Sequence, residues 1–531
     1  MRFGARKLLL ILALSFLTGA ILTVRPLYSK GGELFSMQAP TDAASMENGK
    51  EVYEQKCLWC HGEKGDGKGI TYDRVNPKPR DFTKGTYKFR TTQSGEIPTD
   101  YDIFRSITKG LSGTTMYSWE KALPEKDRWD LVAYVKTFSD RFKNEQYTKD
   151  KVLTYHAPGE KGEPYPGDPG KADANLLKEG DQVYHDKNGA KCFQCHGDHG
   201  RGNGVSADSL VDDWNNRIWP ADLTKSYDLR GSDSAQDIYR DLSTGVSGSP
   251  MPSYRGALDA DDKKDLEKRW AVSYYVKSLQ APRKLGALVK APHLSGDLPT
   301  DPKDSRWDKI DWIDVPLAGQ VIMDPREFTP SVDNISIKAC YNDKNVAILV
   351  YWEDRTKNTT TDKKKYPDGT QIQFPVQIPK DPAQDAKPYF VLGDKEHPVD
   401  LWSWNAQEVK AAEANAWGSE KIEPKPALGV SAKAIYDDGM WKVVFTRPLG
   451  TASKDRDLQF QIGQFIPIAF SVWDGDNGEH EMQKSLSAWY YLLLIPPTSS
   501  KVYIAPAIAV LVGIGLQLWG AKKSREYSKQ I

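Results

Sequence analysis

Two pentapeptides of one pattern, Cys57-Leu58-Trp59-Cys60-His61 and Cys192-Phe193-Gln194-Cys195-His196, constrain this 531-residue chain more than any other feature. His196 follows His61 by 135 residues, and Met251 follows Met116 by the same 135. On that offset Gly62, Gly65, Gly67 and Gly69 fall on Gly197, Gly200, Gly202 and Gly204, and Asp102-Ile103, Arg105 and Gly110 fall on Asp237-Ile238, Arg240 and Gly245. The register then shifts by six, bringing Trp129 and Tyr134-Val135-Lys136 onto Trp270 and Tyr275-Val276-Lys277. Self-similarity at a fixed period marks a repeated structural unit. Residues 46–142 and 175–280 are therefore expected to be two copies of one all-α domain. Each has a short helical pattern before its cysteines and an amphipathic helix at its end, Asp127 to Phe138 and Asp262 to Leu279.

The chemistry follows from spacing. Two thiols one helical turn apart can add across the vinyl groups of a haem, and the adjoining imidazole reaches the iron from the same side, so Cys-x-x-Cys-His reads as a covalent haem c site. A thioredoxin-like redox pair is disfavoured by the following His, and a zinc site lacks a second cysteine pair within each copy. Four of the five cysteines are used in this way, which leaves Cys340 in a strand-like stretch as a buried structural thiol. Met116 and Met251 are the methionines downstream of each motif within its copy, each in a glycine-bearing loop before the last helix, and are the expected sixth ligands opposite His61 and His196. His/Met ligation raises the reduction potential and leaves no open position for substrate, which favours electron transfer over catalysis. His185 and His199 have no counterparts in the first copy and are expected at the surface.

These two segments resemble class I cytochrome c domains. The resemblance extends to Pro79-Arg80-Asp81-Phe82-Thr83 and Pro220-Ala221-Asp222-Leu223-Thr224, and it implies that the proline carbonyl supports the proximal imidazole.

Two apolar segments bracket the chain. Leu8 to Val24 follows a basic start, and residues 1–26 read as a signal peptide or a retained N-terminal anchor. Residues 502–520 are almost uncharged and long enough to cross a bilayer, and the tail at 521–531 carries Lys522-Lys523-Ser524-Arg525. Basic flanks stay in the cytoplasm, so the bulk of the chain is expected on the outer, periplasmic face of the cytoplasmic membrane. Lys plus Arg equals Asp plus Glu at 72 each, which gives no bulk electrostatic reason to expect nucleic acid as a partner.

Residues 143–174 and 281–304 read as linkers. From 305 the period changes to two, as in Ile372, Phe374, Val376, Ile378 and in Ile466, Ile468, Phe470, Val472, while Val346 to Trp352 is more continuously apolar. Residues 305–497 are therefore expected to form a β-sandwich-like domain. Val350-Tyr351-Trp352-Glu353-Asp354, Asp368 to Pro375, Pro388 to Asp394, Pro398 to Trp404, Phe445 to Leu449 and Lys484 to Trp489 resemble the haem-binding subunit domain of the ethylbenzene dehydrogenase and dimethyl sulfide dehydrogenase family. The resemblance implies one haem b held between a Met and a Lys. Lys484 matches the lysine, but the methionine position falls on Leu392, which cannot ligate iron. His397 could substitute if its loop turned inward, and the domain could otherwise serve as a docking scaffold.

The whole reads as a membrane-anchored dihaem electron relay between a redox enzyme or quinol-oxidising complex and another acceptor. The alternatives are an assembly or docking subunit of a molybdenum oxidoreductase, or a dihaem peroxidase or reductase.

Overall fold

The computed structural model describes residues 38–146, 152, 165, 167–378, 392–426, 429–497 and 501–528. The expected signal or anchor at 1–26, most of the linker at 143–174 and the resembling segment Pro388 to Val391 lie outside the described residues. The chain forms two compact units, 1–281 and 282–531, each described here by itself.

In the first unit the repeat is structural. The first copy contains α1 (Ala43–Lys56), α2 (Leu58–His61), α3 (Asp100–Lys109), α4 (Glu125–Lys136) and α5 (Arg141–Asn144). The second contains α6 (Ala174–Tyr184), α7 (Cys192–His196), α8 (Ala235–Thr244) and α9 (Asp262–Leu279). The helices start where side chains satisfy free backbone donors: Asp42, Thr99, Asp173, Ser234 and Asp261 each accept from an N–H in the first turn. Helices α1 and α4, and their counterparts α6 and α9, cross at a glycine. A Cβ on Gly49 would lie 2.1 Å from the Asp130 carbonyl, and one on Gly180 2.2 Å from that of Ala271. Beside each crossing a tyrosine ring pair stands 5.4 Å apart, Tyr53 with Tyr134 and Tyr184 with Tyr275.

The copies also pack against one another. Arg105 pairs with Asp237 at 2.7 Å, and the buried Arg90 donates to the Thr244 carbonyl at 2.9 Å. Trp214 Nε1 donates to Asp81 at 3.1 Å, and the Tyr72 hydroxyl to Asn216 at the same distance. A buried, hydrogen-bonded arginine, a half-buried ion pair and an indole at such a seam hold the copies in one relative position, so the two domains do not depend on the linker for their proximity.

The second unit is a large, mainly antiparallel sheet. Its strands are β1 (Leu288–Ala291), β2 (Trp312–Ala318), β3 (Asn334–Tyr341), β4 (Asn345–Glu353), β5 (Gly369–Pro375), β6 (Val399–Asn405), β7 (Ala411–Ala416), β8 (Ile422–Lys425), β9 (Ser431–Asp437), β10 (Met440–Pro448), β11 (Phe465–Trp473), β12 (Ser485–Ser487) and β13 (Tyr490–Leu494). The order is β8-β7-β6-β5-β11-β12-β2-β3-β4-β10-β9, with β13 paired to β11 and, in parallel, to β1. Trp404 on β6 and Trp441 on β10 lie far apart in that order, yet their rings are 5.0 Å apart. The sheet thus folds over on itself, and strands from both halves share one core that includes Trp352, Phe374, Trp402, Phe445 and Ile466. Asp438 and Gly439, both at positive φ, make the two-residue turn between β9 and β10.

Two expectations need correction. Residues 281–304 are not simply a spacer, because β1 lies within them, with Val289 and Ala291 in the core. Four residues of apolar alternation were too short to read as a strand without their partner β13. The C-terminal helix α10 runs Lys501–Tyr527, through the basic residues expected to form a tail, since Lys and Arg are good helix formers. Its stretch Ile504–Tyr527 is long and apolar enough to cross a membrane, with its side chains exposed. Cys340 is fully buried in an apolar cluster with Trp307, Ile310 and Leu349.

Candidate cofactor cavities

The first unit contains two cavities in equivalent places. One, of about 190 Å³, is lined by Cys57, Cys60, His61 and Met116, with Ile107 and Trp119 among its apolar walls. The other, of about 220 Å³, is lined by Cys192, Cys195, His196 and Met251, with Leu242 and Val272. All eight residues singled out from the sequence are brought together as two sets of four.

Each set is built by the same local devices. The motif helices α2 and α7 end at Gly62 and Gly197, whose positive φ turns the chain away and whose carbonyls accept from the Tyr53 and Tyr184 hydroxyls, both at 2.7 Å. His61 Nδ1 lies 3.1 Å from the Arg80 carbonyl and His196 Nδ1 3.0 Å from the Ala221 carbonyl. A carbonyl only accepts, so Nδ1 carries the hydrogen in both rings and Nε2 keeps its lone pair, the form that binds a metal. The acceptor is in each case the residue after the proline rather than the proline itself. The Pro79 carbonyl faces Gly67 instead, 2.6 Å from where a Cβ would stand. Burial pushes the His61 imidazole down to about 4 and the Cys57 and Cys192 thiols up to about 12, so both types are neutral. The methionine loops are pinned by Leu111 N–H donating to the Met116 carbonyl at 2.7 Å and Val246 N–H to that of Met251 at 3.0 Å.

The donor set fits a haem c in each cavity: two thiols, a neutral imidazole and a thioether around a largely apolar space. His185 and His199 are off these sites; His185 is partly exposed and paired with Asp181 at 2.9 Å, and His199 is exposed. Sequence reasoning passed over Lys88, Phe89 and Arg230, which line both cavities. Their only signal is spatial, because they come from different copies.

In the second unit Lys484 is buried, donates to Gln371 Oε1 at 2.7 Å and lies 5.0 Å from the Trp473 ring centroid. Burial pushes its ammonium down to about 7. Leu392 is buried in an aliphatic cluster with Val399, Leu401 and Ala416, against which Met482 also packs. His397 does not turn inward: it is half-exposed and bonded to Asp394 at 2.9 Å. Neither Leu392 nor His397 therefore supplies the partner that a haem b on Lys484 would need.

Two buried carboxylate triads lie in the same unit and differ in their neutralisation. Asp400, Glu413 and Asp457 surround Lys425 at 2.7, 3.7 and 2.8 Å, and Asp400 also accepts from Arg447 at 2.9 Å. Among the described residues no Lys or Arg pairs with Asp354, Asp368 or Asp474, whose carboxylate oxygens lie within 4.8 Å of one another. Burial raises all three, helped by repulsion from Asp474 at Asp354 and Asp368 and from Asp476 at Asp474; Asp368 is pushed up to about 7 and the neighbouring Glu479 to about 8. A carboxyl raised in the folded state binds more protons there than in the unfolded chain, so its contribution to stability is present at low pH and is lost as pH rises through the folded value. In chelator-containing buffer Glu479→Gln should melt higher than the parent at pH 8, by roughly 4–8 °C for about 2 kcal/mol, and near the parent at pH 5. The comparison cancels Lys484, whose depressed ammonium adds stability as pH rises through about 7. A difference that does not grow with pH would refute the assignment.

Fold and cavities together define an electron-transfer protein of the cytochrome type. Residues 46–139 and 177–280 match the cytochrome c family, and residues 304–421 and 424–485 match the ethylbenzene dehydrogenase family; the chain joins domains of these two families. Cytochrome c domains carry covalently bound haem. A relative from Haloferax mediterranei, named as a respiratory nitrate reductase heme subunit, is 25% identical over 229 residues, 42% of this chain and 80% of that protein. The chlorate reductase subunit gamma of Ideonella dechloratans is 26% identical over 166 residues, 31% of this chain and 66% of that one. Among solved structures, a chain of the Kuenenia stuttgartiensis reducing HAO-like protein complex shares 36% identity, with 46% of this chain and 100% of that chain covered at a TM-score of 0.38.

Proposed function

We propose that the chain is a membrane-anchored dihaem relay, with one haem c bound by Cys57, Cys60, His61 and Met116 and one by Cys192, Cys195, His196 and Met251. The observation that carries this reading is the recurrence of the same four side chains, in the same register, around both cavities. A bound haem would supply one-electron chemistry at iron. This chain's own residues would hold the imidazole in one tautomer, fix the methionine loop and keep water from the metal. The modules at 46–142, 175–280 and 305–497 are then two electron carriers and a β domain.

Similarity to a respiratory nitrate reductase heme subunit and to a chlorate reductase subunit gamma supports a respiratory reductase as donor or acceptor, and we take it to be the molybdenum oxidoreductase expected from the sequence. A helix at 501–527 supports anchoring in the cytoplasmic membrane, with the haem domains on the outer face and the basic end inside. We assign the β domain a docking role and no third haem, on the grounds of buried Leu392 and outward His397. Reductive titration of purified protein should give two one-electron steps at moderately high potential, and its pyridine haemochrome spectrum should show the c-type band alone. A b-type shoulder would overturn the two-haem count, and the absence of covalent haem would overturn the whole reading.

A further inference from the structure

Lys88 and Phe89, from the stretch of the first copy between the Asp81-Phe82-Thr83 loop and α3, line both cavities. Arg230, from the corresponding stretch of the second copy before α8, lines both as well. Phe89 packs onto the second copy's backbone beside Arg230: a Cβ on Gly231 would stand 2.6 Å from the phenyl ring. The two cavities are thus separated by one thin wall contributed from both sides.

That wall is cationic. Arg230 stands 4.0 Å from Asp228, and Arg80, which lines the first cavity, stacks 4.5 Å over the Trp214 ring of the second copy. Among the described residues Lys88 makes no ion pair or hydrogen bond. Burial, with repulsion from Arg80 and Arg230 that Asp212 offsets only in part, pushes the ammonium down to about 7. A half-buried ammonium facing an apolar cavity among other cations is costly unless an anion arrives with the ligand. Haem brings two propionate carboxylates.

Resting on the reading of the cavities as haem sites, we propose that Lys88 and Arg230 form a shared seat for propionates of both cofactors, so that one pair of side chains sets the potentials of both centres together. Reduction adds negative charge to each centre, and a cation held between them stabilises both reduced forms.

The test uses the full-length, haem-loaded chain and protein-film voltammetry. Lys88→Gln should move both one-electron waves to lower potential, each by up to a tenfold change in the reduction equilibrium, about 59 mV, while Lys88→Arg should leave both near the parent values. Arg230→Gln should act in the same direction on both waves and gives an independent reading should Lys88→Gln fold poorly. Movement of one wave alone would refute the shared seat, and movement of neither would refute any role for the wall. A parent chain lacking two c-type waves would instead defeat the haem reading itself, so the two failures are distinguishable.

Discussion

Replacing Cys192 and Cys195 together by alanine should leave about half of the parent's covalent haem per chain, measured as haem that survives denaturing electrophoresis and as the c-type absorbance per protein. The expectation rests on how separately the two sites are built. Each cavity has its own thiol pair, its own imidazole held by its own backbone carbonyl, and its own methionine loop. Neither set borrows a ligand from the other. The remaining centre should keep its wave near the parent potential, changed only by the loss of the neighbour's charge. Loss of all covalent haem would mean that the sites are interdependent, and full retention would mean that the motif is not the attachment point.

Asp400→Asn should lower the stability of the second unit by about 3–5 kcal/mol. Asp400 is fully buried and sits between two buried cations, Lys425 at 2.7 Å and Arg447 at 2.9 Å, and it also accepts the Leu458 N–H at 3.2 Å. Arg447 has a further carbonyl acceptor on Leu458 and lies against the Trp402 and Phe460 rings at 4.9 Å, so it cannot swing out to water. Removing the negative charge strands it in a low-dielectric core, whereas Asp457 and Glu413 still hold Lys425. Chemical denaturation should report a lower midpoint with an unchanged slope, and the haem spectrum should be unaltered. A variant within 1 kcal/mol of the parent would show that the network is not a closed one. Restoring stability by also replacing Arg447 with Met would point to the unpaired cation as the cause.

Much of the first unit could be read from residue order because its determinants are local or repeated. Cys-x-x-Cys-His fixes a turn of helix by itself, and the 135-residue offset carries the methionines into register without any fold in hand. The closing helix Asp262–Leu279 ended where its pattern did. The second unit was legible only in class. Alternation identified β5 and β11, yet the polar residues between their apolar ones are buried too: Gln371 meets Lys484 and Ser403, and Gln373 accepts from Leu392 N–H. Alternation shows which residues share a face; what covers that face depends on segments 19 to 113 residues away.

The sequence by itself determined that this chain has two equivalent cytochrome c domains, which four side chains recur in each, and an apolar helix near its end, because chemistry at fixed short spacing and hydrophobic period are written along the chain. The tertiary structure alone decided that the two cavities share a wall of Lys88, Phe89 and Arg230, that residues 281–304 supply a strand, and that one acidic triad is neutralised by Lys425 and Arg447 while no Lys or Arg among the described residues pairs with the other. Those features are meetings between distant segments, and the energy of a buried charge depends on what faces it in space rather than on what precedes it in sequence.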